Sequence, residues 1–392
     1  MSLWQRRELK FLGASELIGR QTAGRTSGAP LINADTALRN SAVWAALTIR
    51  ADLVSTFPVD TFRKGAGGLS FEIPSSPFFT NPGGPDVDWC EWAYSSQFDL
   101  DRYGNTFGLI TARDALGLPA RIDLWAAGGV TVIVRDGELW GFRYCGTEYP
   151  KLDVWHEKQN TVAGLHVGLS PIAYAAWTLG EYASIQQFAL DWFGAGAVPS
   201  GHLKNTEKKL DPDLAKEVKQ EFKATVKAGD VFVSGADWEY SIIKSDIETS
   251  NWLEAKGASN VDVARYLRVP ADLIDAALSG QSITYANMSQ RNLQFLIMNL
   301  NPGMVRREKT WSAKLTPKPR FVRMNRGALL QMDPASQALM LAGQIESRQL
   351  APSEARALVD RQPFTDEQLA EFDRLWPKPS KPATSSVPGG AL

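Results

Sequence analysis

Cysteine and histidine are scarce in this sequence of 392 residues, with two and three copies respectively. The cysteines, Cys90 and Cys145, form neither a CxxC pair nor a disulfide framework, so we expect two buried, reduced thiols. The motif HExxH is absent, and the spacing of His156 and His166 matches no common zinc pattern. The segment 156–158, His-Glu-Lys, is predicted to be the surface end of a strand, and we expect no metal and no cofactor.

A large net charge and a long apolar run are also missing. The 42 basic residues nearly balance the 43 acidic ones, for a formal charge of −1. Because tight phosphate binding needs many cationic contacts, this balance argues against a protein that grips nucleic acid, but not against one that contacts DNA loosely. Apolar runs such as Val43–Leu47 are far shorter than the roughly 20 residues of a membrane span. The basic start, MSLWQRRELKF, lacks the apolar stretch of a signal peptide, so we expect a soluble protein made in the cytoplasm.

Common catalytic motifs are missing as well. The sequence has no GxxxxGK(S/T) loop to cradle phosphates and no GxSxG nucleophile elbow. The glycines of Gly194–Gly201 are better explained by a helix end and a turn, and Ser200 beside His202 rarely gives triad geometry. The acid pairs Asp99–Asp101 and Asp211–Asp213 fit solvated turns and helix caps. They also keep open an alternative function, that of a metal-dependent nuclease.

Tryptophan, by contrast, is abundant, with 13 copies in a chain that is 44% apolar and 22% charged. Large aromatic side chains dominate burial in cores and interfaces. The count therefore predicts a large core or a large subunit interface, and composition alone does not choose between them. The length suits two or three structural modules.

Hydrophobic periodicity predicts a mixture of helices and short strands. Ser41 is a suitable N-cap for a helix that ends at Phe57, with Ala46, Ile49 and Leu53 at helical spacing. Further helices are predicted at Asp88–Tyr103, Ser170–Phe193, from Asp211-Pro212 onward, Trp252–Leu267, Tyr285–Leu315 with a bend or an interruption at Pro302-Gly303, Asp333–Glu346 and Pro352–Arg361. Strands are predicted at Val59–Arg63, Thr106–Ala112, Ala120–Trp125, Val130–Arg135, Glu138–Tyr144, Asp230–Val233, Trp238–Lys244 and Arg320–Met324.

Two predicted hairpins join four of these strands. Asp136-Gly137 favours a type I′ turn, because both central residues of that turn need positive φ. The second hairpin pairs Asp230–Val233 with Trp238–Lys244 across a turn at Ser234–Asp237. Residues 1–33 are predicted to form an irregular arm, and the Pro- and Ser-rich end from Trp376 is predicted to be disordered.

The helix from Ser170 to Phe193 is unusually long, about 35 Å at 1.5 Å per residue. Ser170 suits its N-cap, and Pro171 suits its first turn. Its aromatic residues spread around the helix instead of forming one stripe: Tyr174, Trp177, Tyr182, Phe188 and Trp192. A helix that is apolar on several faces is buried on several faces. Neighbouring subunits or the chain's own core could supply that burial.

Five short segments, in this order along the chain, are typical of one protein family. They are Asn40–Leu47 with Phe57-Pro58, Tyr103–Ile110 with Arg113-Asp114, Gly168–Ile172, Phe193–Gly201, and Val269-Pro270 followed by Tyr285–Asn287. With them the chain resembles, over roughly residues 36–372, the portal proteins of long-tailed bacteriophages. Two departures are the atypical surroundings of His156 and the short C-terminal part.

The resemblance implies an α+β portal fold with an α/β wing, a long-helix stem, a small α/β clip and a short helical crown. The implied boundaries are an arm at 1–35, wing at 36–168 and 286–332, stem helices at 169–197 and 248–270, clip at 198–247, tunnel loop at 271–285, crown at 333–375 and tail at 376–392. Portal proteins form a ring, usually of twelve subunits, at one capsid vertex of the virion. Double-stranded DNA is packaged and ejected through this ring, which does no covalent chemistry.

Three sets of candidate site residues follow from the resemblance. The channel loop facing DNA would contain Asp275, Ser279, Gly280, Gln281 and Ser282. A basic patch for phosphates, or for acidic residues of a neighbouring subunit, would contain Arg306, Arg307, Lys309 and Lys314. The clip surface would contain Glu217, Lys219, Glu221, Lys223 and Lys227.

The implied partners are further copies of the chain, DNA bound without sequence specificity, the terminase large subunit, a head–tail connector, and the major capsid and scaffold proteins. A different ring-forming head or tail component is another alternative.

Overall fold

Helix α1 spans Ser41–Thr56, and its N-cap is Asn40, one residue before the predicted cap Ser41. The Asn40 side-chain oxygen accepts hydrogen bonds from the backbone N–H of Ala42 at 2.9 Å and of Val43 at 3.1 Å. Two of the unpaired donors at the helix start are thereby satisfied. The predicted Ser41 cap is therefore wrong by one position, because Asn40 offers the same capping chemistry.

The chain is seen in a computed structural model that describes residues 9–11, 32–135, 137–194, 201–205, 211–228, 238–242, 249–274, 291–326, 334–359 and 361–375. It divides into two units, Met1–Asn325 and Arg326–Leu392. Within the described residues, no helix combines the length and apolar composition needed to cross a bilayer.

The strands form small antiparallel sheets, and helices pack on them, which confirms the α+β class. One sheet has the order β1-β6-β7-β8. The other sheets have the orders β12-β2-β3, β5-β4-β9 and β10-β11. The bounds are β1 Leu9–Phe11, β2 Val59–Lys64, β3 Ser70–Ile73, β4 Asn105–Arg113, β5 Pro119–Trp125, β6 Thr131–Arg135, β7 Glu138–Tyr144, β8 Thr147–Pro150, β9 Val154–Lys158, β10 Gly201–Asn205, β11 Trp238–Ile242 and β12 Arg320–Met324.

Strand β1 corrects the prediction of a wholly irregular arm. Its residues pair with Val132–Val134 of β6, because an edge strand offers free backbone donors and acceptors to any extended segment. The first predicted hairpin is confirmed by the pairing of β6 with β7, with Gly137 at φ +80°. In the second predicted hairpin, the strand Trp238–Ile242, which is β11, pairs with β10. Its predicted partner, Asp230–Val233, lies outside the described residues.

Several helices match their predicted positions. They are α2 Trp89–Tyr103, α3 Pro171–Gly194, α4 Pro212–Ala228, α5 Thr249–Leu267, α6 Asn301–Lys314 and α7 Pro334–Glu346. Helix α8, Pro352–Ala357, is shorter than predicted, and α9, Asp366–Leu375, lacks a predicted counterpart.

The helix is not interrupted at Pro302-Gly303, so of the two predicted outcomes, a bend or an interruption, the interruption is wrong. A π-helical segment, Phe295–Leu300, leads directly into α6, and the backbone N–H of Asn301 bonds Leu296. Pro302 occupies the first turn of α6, where a missing N–H costs little.

Tryptophan side chains form the centre of the larger unit. The ring centroid of Trp89 lies 5.8 Å from that of Trp92 and 5.2 Å from that of Trp311, and Trp92 lies 6.4 Å from Trp155. Their exposed fractions are 8% or less. The choice left open by composition is thus resolved for these residues in favour of the core. Trp44 and Trp177 instead keep 51% and 78% of their surface exposed.

Both cysteines are exposed and unpaired, which corrects the prediction of buried thiols. Cys90 lies in the first turn of α2, and Cys145 lies in the turn between β7 and β8 at φ +48°. Both thiols therefore lie at the end of a helix or strand, where the side chain is exposed to solvent.

Candidate functional site

A buried network of charged and polar side chains connects residues of the larger unit that are far apart in the sequence. The guanidinium of Arg307, on α6, donates to Glu157 Oε2 at 3.1 Å, to Gln97 Oε1 at 2.9 Å and to Ser96 Oγ at 2.6 Å. Trp311 Nε1 donates to Glu157 Oε1 at 2.9 Å. Arg307 and Glu157 are 2% and 3% exposed, so their charges are compensated by these bonds and not by water.

The network continues from α2 to α1. Gln97 Nε2 donates to Asp101 Oδ2 at 2.8 Å. Asp101 accepts two parallel hydrogen bonds from Arg50, at 3.0 Å to Oδ2 and 2.8 Å to Oδ1. This fork is the strong arrangement of an arginine with a carboxylate. Four elements, α1, α2, β9 and α6, are therefore locked in one relative position.

This network corrects two predictions from the sequence. The segment 156–158 is not a surface end, because Glu157 is a buried partner of Arg307 and His156 stacks on Phe107 with ring centroids 4.5 Å apart. Asp101 is not in a solvated turn, because it is 4% exposed and paired with Arg50. Charged residue types gave no sign of this burial in the sequence.

A second cluster fixes the start of the long helix α3. Gly104 ends α2 at φ +74°, and its carbonyl accepts from Gln159 N at 2.8 Å. The side chain of Asn105 donates to Gly168 O at 2.9 Å and accepts from Gly168 N at 2.8 Å. A single asparagine side chain thus pairs with both backbone groups of Gly168, as a neighbouring strand would.

Ser170 connects that cluster to the helix itself. Its hydroxyl donates to Arg102 O at 2.6 Å and accepts from Ala173 N at 3.2 Å, which is the predicted capping role. Arg102 in turn donates to Ala34 O at 3.1 Å and pairs with Asp35. The direction in which α3 leaves the sheets is therefore set by side chains of α2, β4 and the segment before α1.

The carboxyl group of Asp99, one turn before the end of α2, has a raised pKa. Burial raises the pKa of Asp99 to about 7, although Arg102 and a hydrogen bond with the Ala127 backbone act to lower it. A carboxyl whose pKa is higher in the folded chain binds its proton more tightly there. Its favourable contribution to stability is complete below about pH 4 and is lost as the pH rises through about 7.

We therefore expect Asp99→Asn to be more stable than the wild type at pH 8, by about 2–4 kcal/mol, and close to it at pH 4. Chemical denaturation at both pH values measures this difference. Asp123→Asn, which removes a carboxylate from an exposed ion pair with Arg121, is the control and should change stability by no more than about 0.5 kcal/mol at pH 8. Equal stability of Asp99→Asn and wild type at pH 8 would contradict the assignment.

One of the three predicted site sets lies wholly outside the described residues, and the side chains of a second are described only in part. Asp275, Ser279, Gly280, Gln281 and Ser282 all lie outside them. The ends of that segment are close together, because Arg291 Nη1 donates to Asp272 Oδ2 at 2.9 Å. On α4, Glu217, Lys219 and Glu221 are exposed; Lys223 and Lys227 belong to the helix, but their side chains are not described.

The predicted basic patch loses one member. Arg307 is buried in the network above, because it faces the core side of α6. Arg306 and Lys309 are exposed on the same helix. Lys314, at its end, is exposed in part and donates from Nζ to His156 O at 3.0 Å. These three residues keep their predicted role as a hypothesis.

Helix α5 packs along one side of α3. The buried residues of α3 are Ile172, Ala173, Ala175, Leu179 and Tyr182, and it packs along α5, where Val263, Ala264 and Leu267 are buried. Trp177 and Tyr174 point away from this contact, with 78% and 47% of their surface exposed. Phe188 and Trp192 have side chains outside the described ones. Aromatic residues thus lie on both covered and uncovered faces of α3.

Within the described residues, no group of three or more histidine, cysteine, aspartate or glutamate side chains is arranged to hold a metal. What the geometry does show is an α+β scaffold whose internal salt bridges and caps orient a long, partly uncovered helix.

The chain belongs to the phage portal protein family, whose family model, described as "Phage portal protein", matches residues 41–360. It is 25% identical over 337 residues to the portal protein of Enterobacteria phage HK97, covering 81% of this chain and 77% of that protein. It is 23% identical over 359 residues to the probable portal protein of Streptomyces phage phiC31, covering 84% and 76% respectively.

Solved structures share the fold. A portal protein of the HK97 family from Corynebacterium diphtheriae superimposes with a TM-score of 0.60 at 18% identity, over 78% of this chain and 99% of that one. A chain from the neck of a native gene transfer agent particle, solved with C12 symmetry, gives 0.58 at 17% identity, over 90% and 99%. The predicted family and fold class are confirmed.

Proposed function

We propose that copies of this chain close into a ring, of twelve subunits, at one vertex of a phage capsid, and that double-stranded DNA enters and leaves through its centre. The observation that carries this proposal is the uncovered aromatic surface of α3. Trp177, at 78% exposure, is a large apolar side chain on a helix that is otherwise anchored firmly to its own subunit. Exposed aromatics of this kind mark protein interfaces.

The modules follow the order of the family. We assign the wing to residues 36–168 and 286–332, the stem to 169–197 and 248–270, the clip to 198–247, the tunnel loop to 271–285 and the crown to 333–375. The buried network supports the wing assignment, because it joins 50–157 to 307 in one rigid body. The paired α3 and α5 support the stem assignment.

The clip is the proposed docking surface for the terminase large subunit during packaging, and afterwards for head–tail connector proteins. Helix α4 supports this role. Its outer positions are charged, and Leu214 is 51% exposed, so an apolar side chain of α4 stays open. A charged helix with an open apolar position suits exchange between successive partners. Major capsid and scaffold proteins are the proposed partners of the wing.

Loose contact with DNA is the expected behaviour of the channel loop. Ser279, Gly280, Gln281 and Ser282 are small or neutral, so they can touch phosphates without adding the salt-dependent affinity that would hold the duplex in place. The ion pair of Asp272 with Arg291 would fix the base of this loop. Virion location at the portal vertex and synthesis in the host cytoplasm complete the proposal.

Ring closure makes a direct prediction for Trp177. Trp177→Glu should lower the fraction of chains in rings at least tenfold, because burying a charge at an aromatic contact costs about 2 kcal/mol or more. The unfolding free energy of the isolated subunit should change little. Native mass spectrometry and electron microscopy of the purified full chain measure the ring fraction.

Leu116→Glu is the matched control, because Leu116 is similarly exposed, at 69%, in the turn between β4 and β5. It should assemble as the wild type does. Particles without a central hole in the wild type, or normal rings from Trp177→Glu, would argue against the proposed stem contact.

A passive conduit should not cut DNA. We expect no cleavage when the purified chain is incubated with linear duplex and Mg²⁺, assayed by gel electrophoresis. Sustained cleavage that tracks with the protein through purification would favour the metal-dependent nuclease instead.

A further inference from the structure

A cavity of about 470 Å³ opens in the larger unit between the β6–β7 turn, strand β9 and the end of α6. It is separate from the buried network and from α3. Cationic and ionisable side chains dominate its lining, against one carboxylate: Lys151, Lys158, Lys314, His156, His166 and Glu138. Because most of the lining side chains are charged or ionisable, a polar ligand is the chemistry to consider.

The three lysines are not neutralised by the chain around them. Among the described residues, no carboxylate oxygen lies within 4 Å of the Nζ atom of Lys151, Lys158 or Lys314. Lys314 is also held in place, because its Nζ donates to His156 O at 3.0 Å and lies 5.2 Å from the centroid of the Trp155 ring. One ammonium is therefore positioned at the cavity, with two more facing the same space.

The like charges act on one another. Burial is the main cause that lowers the pKa of Lys314, and Lys151 and Lys158 lower it further, while Glu157 opposes them. Burial likewise lowers the pKa of His156 to about 3, with Lys314 and Lys158 adding to the shift. His156 is consequently neutral, and the positive charge of the cavity resides on the lysines. A bound anion would relieve this repulsion.

We propose that this cavity is a binding site for a phosphate group. Lysine ammonium groups are compact point charges that bind phosphate oxygens in many nucleotide sites. None of the described lining residues is an arginine. The volume exceeds that of one phosphate and admits a phosphodiester segment, so free phosphate and the backbone of duplex DNA are both sources of this chemistry.

The test compares two double variants of the full chain. Lys151→Gln with Lys158→Gln removes two cavity charges and spares Lys314, which contacts His156. Lys64→Gln with Lys318→Gln removes two exposed charges elsewhere and is the matched control. Calorimetry with inorganic phosphate and fluorescence anisotropy with a labelled 20-base-pair duplex, at several salt concentrations, measure the two sources.

We expect the cavity variant to bind at least one probe about tenfold more weakly, with a salt slope for duplex reduced by about 1–2, and the control to bind within about twofold of wild type. Loss of phosphate binding identifies free phosphate as a ligand, and loss of duplex binding alone identifies the DNA backbone. Equal binding by both variants overturns the proposal. Stronger competition from poly-glutamate than from phosphate also overturns it, in favour of a carboxylate partner. These outcomes are independent of ring formation.

Discussion

Arg307→Met is expected to lower the free energy of unfolding by about 3–5 kcal/mol, the usual cost of leaving a buried charge without its partner. Methionine fills a similar volume, so the main effect is on Glu157, which would keep its negative charge at 3% exposure. It would retain only the indole donors of Trp155 and Trp311, at 3.2 and 2.9 Å. Denaturation of the full chain, followed by tryptophan fluorescence, measures the loss.

Arg306→Met is the matched control for this experiment. Arg306 is the exposed neighbour on the same helix, and its replacement should change stability by no more than about 0.5 kcal/mol. Adding Glu157→Gln to Arg307→Met should recover part of the loss, because the unpaired charge is removed. If Arg307→Met and Arg306→Met cost the same, the network does not stabilise the fold in the way its geometry indicates.

Gly104→Ala is the second substitution with a large expected effect. Gly104 has φ +74°, where an alanine costs about 1–2 kcal/mol. A Cβ there would also lie 2.2 Å from Leu169 O, so the backbone must move, at a further cost of about 1–3 kcal/mol. The movement would disturb the residues that cap α3. We therefore expect lower stability and, in the assembled state, fewer rings.

Gly117→Ala separates the two causes. Gly117 has a nearly identical φ, +77°, but a Cβ there has no atom within 4 Å. Its replacement should show the backbone cost alone, about 1–2 kcal/mol. The excess loss in Gly104→Ala, measured by thermal and chemical denaturation, is the cost of the close approach to the α3 start. Equal losses of stability at the two positions would show that the backbone around Gly104 and Leu169 moves apart with no measurable loss of stability.

Structural features that depend on residues adjacent in the sequence could be predicted. The Asp136-Gly137 turn, the Ser170 cap and the end of α1 before Pro58 follow from backbone preferences that act over a few residues. Even the error at Ser41 is small, because Asn40 and Ser41 are both good caps and only geometry decides between them. Element positions and the α+β class could therefore be predicted.

The buried charges could not be found in this way. In β9, Trp155 and Glu157 lie on one face because side chains alternate along a strand. A glutamate two residues from a tryptophan still suggests a surface position unless its arginine partner is known. That partner, Arg307, sits in a run of basic residues that resembles a solvated helix face. A buried glutamate between two tryptophan donors is the pattern that would be sought in other sequences.

The charged network also constrains when each part of the chain can fold during synthesis. The bonds of Arg307 to Glu157 and Gln97 span 150 and 210 positions along the chain. A nascent polypeptide that has left the ribosome only as far as the stem still lacks α6, so Glu157 must stay hydrated and the tryptophan core incomplete. Long-range closures of this kind are slow because chain entropy is spent before any contact forms. Completion of the tryptophan core is thus a late event in synthesis.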